Sequence, residues 1–447
     1  LMLLWCLSGV VMLFVHWPEV GEDERQAGLA PIDWARCCHY GGAVMDVQEV
    51  RKASVEMVGA QPVLRADGTT VDLATGQEIH HFTEADARAV ATTFAKQRGI
   101  AGAPARVNSV ERDQWTVTGY FNTGRPFWRV RLSDPGATDL YVSARTGKVA
   151  QRTDRAARVL NWFGAIPHWL YPRVLRADVK LWAQVVIWTS IAGTFLTATG
   201  LYLGIIAWRP GARPSPFRGL MAGHHIVGLI AGLLTLTWVV SGLVSMNPWG
   251  FLESPDDPAA EQLSGEAHSF GDIRLAIDAA KVPARQLRTA PFQGELHLAA
   301  DGRRLGAPLT QADVAKAARG LGRPVANLTL ITEGDAYYFS HHEDVRLPAW
   351  RISMADGDRY YLDPATGELL ASVDAAAKSY RWLHLGLHRL DVIPGFSRGW
   401  AWATAMTLLL LAATLGVATG VWLGWRRVKH DLAGLRRRKP SRHPPVA

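Results

Sequence analysis

A chain of 447 residues is long enough for several domains. Its 48% hydrophobic content is gathered into a few long runs, which excludes a purely soluble globular protein and marks a membrane protein with sizeable polar parts. The net charge of +8 is local, concentrated at Arg209, Arg213 and Arg218 between two apolar runs and in the tail from Arg426 to Arg442; directly after a span, such a tail reads as a cytoplasmic flank and not as a nucleic-acid patch.

Four apolar runs are expected to form transmembrane helices. The first, 1–17, starts without an initiator Met and reads as a helix truncated at its N-terminus, a signal peptide being the alternative. A polar stretch covers 18–157 and an interfacial segment 158–178. The second run is 179–208, a basic loop covers 209–219, and the third run is 220–249. A second polar stretch covers 250–378, an interfacial segment 379–399, the fourth run 400–425 and the basic tail 426–447. Several of the eighteen tryptophans stand at the ends of these runs, as interfacial anchors do. The basic clusters put the loop and tail in the cytoplasm, and both polar stretches outside it, in the periplasm of a cell with two membranes. Cys6, Cys37 and Cys38 form no disulfide framework or zinc motif, and adjacent cysteines rarely pair.

The two halves repeat. Trp5, Ser8 and Gly9 spell W-x-x-S-G in the first run, as do Trp238, Ser241 and Gly242 in the third. In the polar stretches, 82–87 matches 309–314, with Thr83 and Thr310 as helix N-caps. Trp128-Arg129-Val130 matches Trp350-Arg351-Ile352, and 140–148 matches 360–368 as strand, Thr-Gly turn and strand. Beyond that point the copies run at a constant offset, pairing Trp162 with Trp382, His168 with His388 and Trp182 with Trp402. The expected fold is a membrane α-helical protein: a four-helix transmembrane bundle of two parallel repeats about a pseudo-two-fold axis along the membrane normal, with two extracytoplasmic α+β modules.

Histidines within or beside apolar spans are functional candidates. His168 and His388 hold the same place before the second and fourth spans, and the pseudo-two-fold axis brings them together at the outer face. Two neutral imidazoles on opposite sides of a haem iron make a low-spin electron-transfer centre; the alternative is a pair of interfacial histidines capping helices. Near the cytoplasmic end of the third run, His225 shares a face with Gly228 and Gly232 that suits either a haem or helix–helix packing, while His224 is turned by about 100°. His225 is preferred there, with ligation by His224 left open. The repeat partner of His225 would precede Leu1. His384 lies one turn before His388 and could replace or assist it, although its counterpart is Gly164. His80-His81 and His341-His342, next to acidic residues, read as solvated turns, with metal or substrate binding as the alternative. A haem near each face would form a transmembrane electron wire.

The motifs Gly223-His-His-Ile-Val-Gly-Leu, Trp238-x-x-Ser-Gly-Leu-x-Ser-Met-Asn-Pro-Trp249 and Arg381-Trp-Leu-His-Leu-Gly-Leu-His-Arg-Leu-Asp391 resemble those of PepSY-associated transmembrane proteins, in particular the branch similar to di-haem inner-membrane ferric-siderophore reductases. The resemblance covers nearly the whole chain, and the repeated polar module looks like a PepSY domain. It implies two b-type haems, with His168, His225 and His388 as ligand candidates. It also implies a bacterial inner-membrane location and electron transfer outward to a ferric siderophore, releasing Fe(II). The ligand from the first span is missing from this sequence. No nucleotide- or flavin-binding motif is visible, so the electron donor would be another protein, quinol or a reduced cofactor at the cytoplasmic face. Two other readings compete: a non-catalytic membrane regulator whose modules bind a peptide or protease, and a siderophore or metal transporter component.

Overall fold

The computed structural model describes residues 1–42, 49–211, 213–340, 345–392 and 399–437, so that His341 and His342 lie outside the described residues. Three helices are long and apolar enough to cross a membrane: Val179–Ala207, Leu220–Ser245 and the apolar part of Trp400–Arg437. None has an internal proline, so every interior amide can make its helical bond, as a hydrocarbon environment demands. Asp178 caps the first of them by accepting from the Leu181 amide at 3.0 Å. The run expected at 1–17 is helical only over Met2–Met12. Eleven residues rise about 16 Å, short of the roughly 30 Å hydrocarbon core. The last helix, conversely, runs past Trp425 to Arg437 into the expected tail. The residues there are good helix formers, and Arg427 pairs with Asp431 one turn on at 2.9 Å.

The helix Leu220–Ser245 is the hub. It packs on Val179–Ala207 on one side and on Trp400–Arg437 on the other, and the latter also carries Met2–Met12. Cys6, Ala231, Trp238, Met406, Leu410 and Ala413 form the core shared by these helices. On the opposite side, glycines allow close approach. A Cβ on Gly204 would lie 2.9 Å from Leu229 Cδ2, and one on Gly232 would lie 2.8 Å from Leu201 Cδ2.

The polar stretches each contain a four-stranded antiparallel meander. One runs through Pro104–Val110, Phe127–Leu132, Asp139–Ser143 and Val149–Thr153; the other through Val325–Ile331, Ala349–Met354, Arg359–Leu362 and Leu369–Val373. A helix belongs to each, Glu84–Gln97 and Gln311–Gly320, and both begin with a capping box, Thr83 with Asp86 and Thr310 with Asp313. The repeat extends to side chains. Trp128 Nε1 donates to the Phe82 carbonyl at 2.8 Å, and Trp350 Nε1 to the Leu309 carbonyl at 3.4 Å. Tyr141 donates to Asp113 at 2.7 Å, and Tyr361 to Asp335 at 2.9 Å. The Thr-Gly turns need positive φ at Gly147 (+66°) and Gly367 (+82°).

Two features depart from expectation. The halves of the polar part are not separate: a third, six-stranded sheet takes Ala53–Val58, Gln61–Ala66 and Thr69–Asp72 from one and Gln286–Thr289, Leu298–Ala300 and Arg303–Arg304 from the other. They join where Leu287 faces Val55. Across this seam Gln286 Nε2 donates to the buried Glu56 carboxylate at 2.9 Å, which Arg65 also engages at 2.7 Å. Each edge strand thereby satisfies backbone groups that the other half alone would leave open. The second departure is a disulfide between adjacent Cys37 and Cys38, which pack partly buried against the core beneath this sheet.

Candidate functional site: a histidine pair between the repeats

After the last strand of each meander the chain makes a short capped helix. Asp154 starts Arg155–Asn161, and Asp374 starts Ala375–Tyr380. Each helix leads to a histidine in a brief helical turn, Ala165–His168 or Leu387–Arg389, the latter preceded by a π-helical turn over Arg381–Gly386. The residue after each histidine is then pinned to the next long helix. Trp182 Nε1 donates to the Trp169 carbonyl at 2.9 Å, and Trp402 Nε1 to the Arg389 carbonyl at 3.0 Å. These paired anchors bring the rings of His168 and His388 together, their centres 6.1 Å apart and their planes at 76°.

The hydrogen bonds decide which nitrogen carries each proton. His168 Nδ1 lies 3.2 Å from the Trp5 carbonyl and 3.1 Å from Ser8 Oγ. A carbonyl can only accept, so Nδ1 carries the hydrogen. The Ser8 hydroxyl spends its own hydrogen on the Leu4 carbonyl at 2.7 Å, leaving its oxygen to accept from the ring. His388 repeats the pattern: Nδ1 lies 2.9 Å from Ser241 Oγ, whose hydroxyl donates to the Trp238 carbonyl at 3.1 Å. Among the described residues no hydrogen bond reaches Nε2 of either ring, so both lone pairs stay available to a metal. Burial pushes both imidazoles down, His168 to about 4 and His388 to about 3. Both are therefore neutral near pH 7, the form that ligates.

His384 joins the pair. Its ring centre is 5.4 Å from that of His388, and its Nδ1 donates to the Ser241 carbonyl at 3.0 Å. At the other end of this helix the two adjacent histidines differ. His225, preferred from its glycine face, uses both nitrogens: Nε2 donates to the Gly204 carbonyl at 2.8 Å, and Nδ1 meets Ser215 Oγ at 2.9 Å. Its face packs against Val179–Ala207, where Leu201 lies over Gly232 while Gly228 borders open space. His224 faces the last helix instead, with Nδ1 at 3.2 Å from the Gly416 carbonyl and 3.0 Å from Thr419 Oγ1. Its Nε2 makes no hydrogen bond among the described residues. Ser241 lies sixteen residues beyond His225, about 24 Å at 1.5 Å per residue, so the two histidine sites lie near opposite ends of one helix. His80 stands exposed near Glu78 at 3.5 Å, as a solvated turn would.

Among the described residues no group of three or more His, Cys, Asp or Glu is arranged to hold a bare metal ion. A haem needs less, since its macrocycle supplies four nitrogens and the protein only the axial positions. The pair fits that demand. Their ring centres, 6.1 Å apart, are close enough for both imidazoles to reach one metal, and neither Nε2 makes a hydrogen bond among the described residues. Two buried donors, Trp5 Nε1 and Arg381 Nη1, also lack partners among the described residues. The histidines were legible from the repeat. The roles of Ser8, Ser241 and Thr419 were not, although W-x-x-S-G was visible as a repeated motif. No protein-family model matches the chain, and no curated protein matches it significantly.

Proposed function

We propose that this chain is a haem-carrying electron conduit of the bacterial inner membrane, a four-helix bundle bearing PepSY-like modules on the periplasmic side, that reduces ferric siderophore and releases Fe(II). The observation that supports this reading is the His168–His388 pair: two symmetry-related neutral imidazoles with ring centres 6.1 Å apart, Nδ1 committed and, among the described residues, no hydrogen bond at Nε2. Haem b, when bound, supplies a reversible one-electron Fe(III)/Fe(II) couple. His168 and His388 would hold the periplasmic-side haem through Nε2, and the bound group would supply electron transfer there. His224 is the better candidate for a second haem near the cytoplasmic face, because His225 has no nitrogen to spare. The donor is a cytoplasmic protein, a reduced cofactor or quinol. The acceptor reading rests on the resemblance of the Ser-Met-Asn-Pro-Trp249 and Gly-Leu-His-Arg-Leu-Asp391 motifs. Hard oxygen donors hold Fe(III) far better than Fe(II), so reduction releases the metal.

The test places the protein in sealed vesicles with a reductant inside and a ferric hydroxamate or catecholate chelate outside, together with an Fe(II) indicator. Fe(II) should form outside with the native protein and not with His388→Ala. Equal rates with and without the native protein would contradict the proposal, and binding of peptide without any redox activity would favour a regulator.

A further inference from the structure

The W-x-x-S-G motif occurs twice and does one thing in both places. Ser8 and Ser241 are essentially buried, at 1% and 0% exposure. Each sits one helical turn from a carbonyl that takes its hydroxyl hydrogen, and each turns its oxygen to Nδ1 of the histidine contributed by its own repeat. The glycine that follows leaves room beside the same ring: a Cβ on Gly9 would lie 3.6 Å from His168 Cε1, and one on Gly242 would lie 3.9 Å from His388 Cε1. The carbonyl of the motif's tryptophan completes the set at Trp5, 3.2 Å from His168 Nδ1. Thus tryptophan carbonyl, serine hydroxyl and glycine surround one edge of each imidazole. We propose that Ser8 and Ser241 are positioning residues that hold the rotation of His168 and His388 and set the reduction potential of the group those histidines hold.

The physical reason is the acceptor at Nδ1–H. It gives the ring more imidazolate character, makes Nε2 a stronger donor and favours the ferric state, so it lowers the potential. It also stops the ring from turning about its bond to the backbone. The inference rests on the haem reading of the pair, and the experiment separates the two.

Native protein, Ser8→Ala, Ser241→Ala, the double variant and the two serine-to-threonine variants are purified in detergent. Ser190→Ala serves as control, a buried helix serine that shares no hydrogen bond with either histidine among the described residues. Redox titration followed optically gives midpoint potentials, low-temperature EPR gives the low-spin ferric signal, and apomyoglobin capture gives haem loss. Each alanine variant should raise the potential of one haem, shift its EPR signal as the ring angle relaxes, and release haem roughly 10- to 100-fold faster. Threonine, which keeps the hydroxyl, should stay near native on all three. Should an alanine variant fail to assemble, the threonine variant must restore haem with a near-native potential. Haem-bound alanine variants whose potentials and EPR signals match Ser190→Ala would overturn this inference and leave the haem reading standing. A native protein without haem would overturn both.

Discussion

An imidazole can bind a metal through a ring nitrogen only if that nitrogen is free of a proton and of a hydrogen bond, and this criterion separates the histidines here. Among the described residues, His168, His388 and His224 each commit Nδ1 to a carbonyl or hydroxyl oxygen and make no hydrogen bond at Nε2, whereas His225 donates Nε2 to Gly204. We expect His224→Ala to remove the cytoplasmic-side haem while His225→Gln retains it, as read by the haem-to-protein ratio. The reverse result would restore the glycine-face assignment. The glycine face that singles out His225 in the sequence has two readings. Gly228 and Gly232 lie on its face, but Leu201 packs onto Gly232, and small residues at a helix contact look the same in sequence as small residues beside a cofactor. What distinguishes His224 is a partner on the last helix, Thr419, almost two hundred residues away.

At the scale of elements, the meander of the first half is held by a buried carboxylate. Asp139 is fully buried between Arg129, at 2.6 Å, Arg131 and Arg158, at 3.1 Å. Burial alone would push it up, but the hydrogen bonds from Arg131 and Arg129 prevail and hold it below the usual carboxylate range. A depressed pKa in the folded state means stability that is present above the unfolded value near 4 and lost as pH falls through the folded one. Asp139→Asn should therefore cost about 3 kcal/mol at pH 7, with the gap to native narrowing below pH 4; denaturant titrations followed by tryptophan fluorescence measure both. The Thr-Gly turn gives a second case. Gly147→Ala meets a φ of +66° and puts a Cβ 2.8 Å from Val58, so it should lower stability by about 1–3 kcal/mol in the same titration, while Gly99→Ala, at a φ of +65° in open space, should cost less. These hairpins, caps and turns were readable because each depends on residues a few positions apart. The disulfide of Cys37 with Cys38 was not, because adjacency argues against pairing and nothing else nearby marks it.

At the scale of the molecule, duplication is the organising fact. It was legible as matched motifs, and the structure repeats it in matched hydrogen bonds, from the capping boxes to Trp182 and Trp402. What the sequence could not reveal was that the halves interlock. The strand Gln286–Thr289 completes a sheet begun by Ala53–Val58, a pairing across more than two hundred residues with no local signature. Residues 18–157 expressed alone should therefore expose Val55 and Leu64, which are fully buried in the whole chain. We expect that fragment to aggregate on size exclusion, whereas a monomeric, cooperatively folding fragment would show that the shared sheet is dispensable. The same two-fold logic that joins the sheets also brings His168 to His388, and on that meeting the functional account depends.

The most direct measurement is the absorption spectrum of the purified full chain, oxidised and dithionite-reduced, with haem quantified per polypeptide, beside His168→Ala and His388→Ala. The account predicts sharp reduced bands of six-coordinate b-type haem in the native protein and the same haem lost from both variants. A native protein without haem, or variants that keep its full complement, would contradict it.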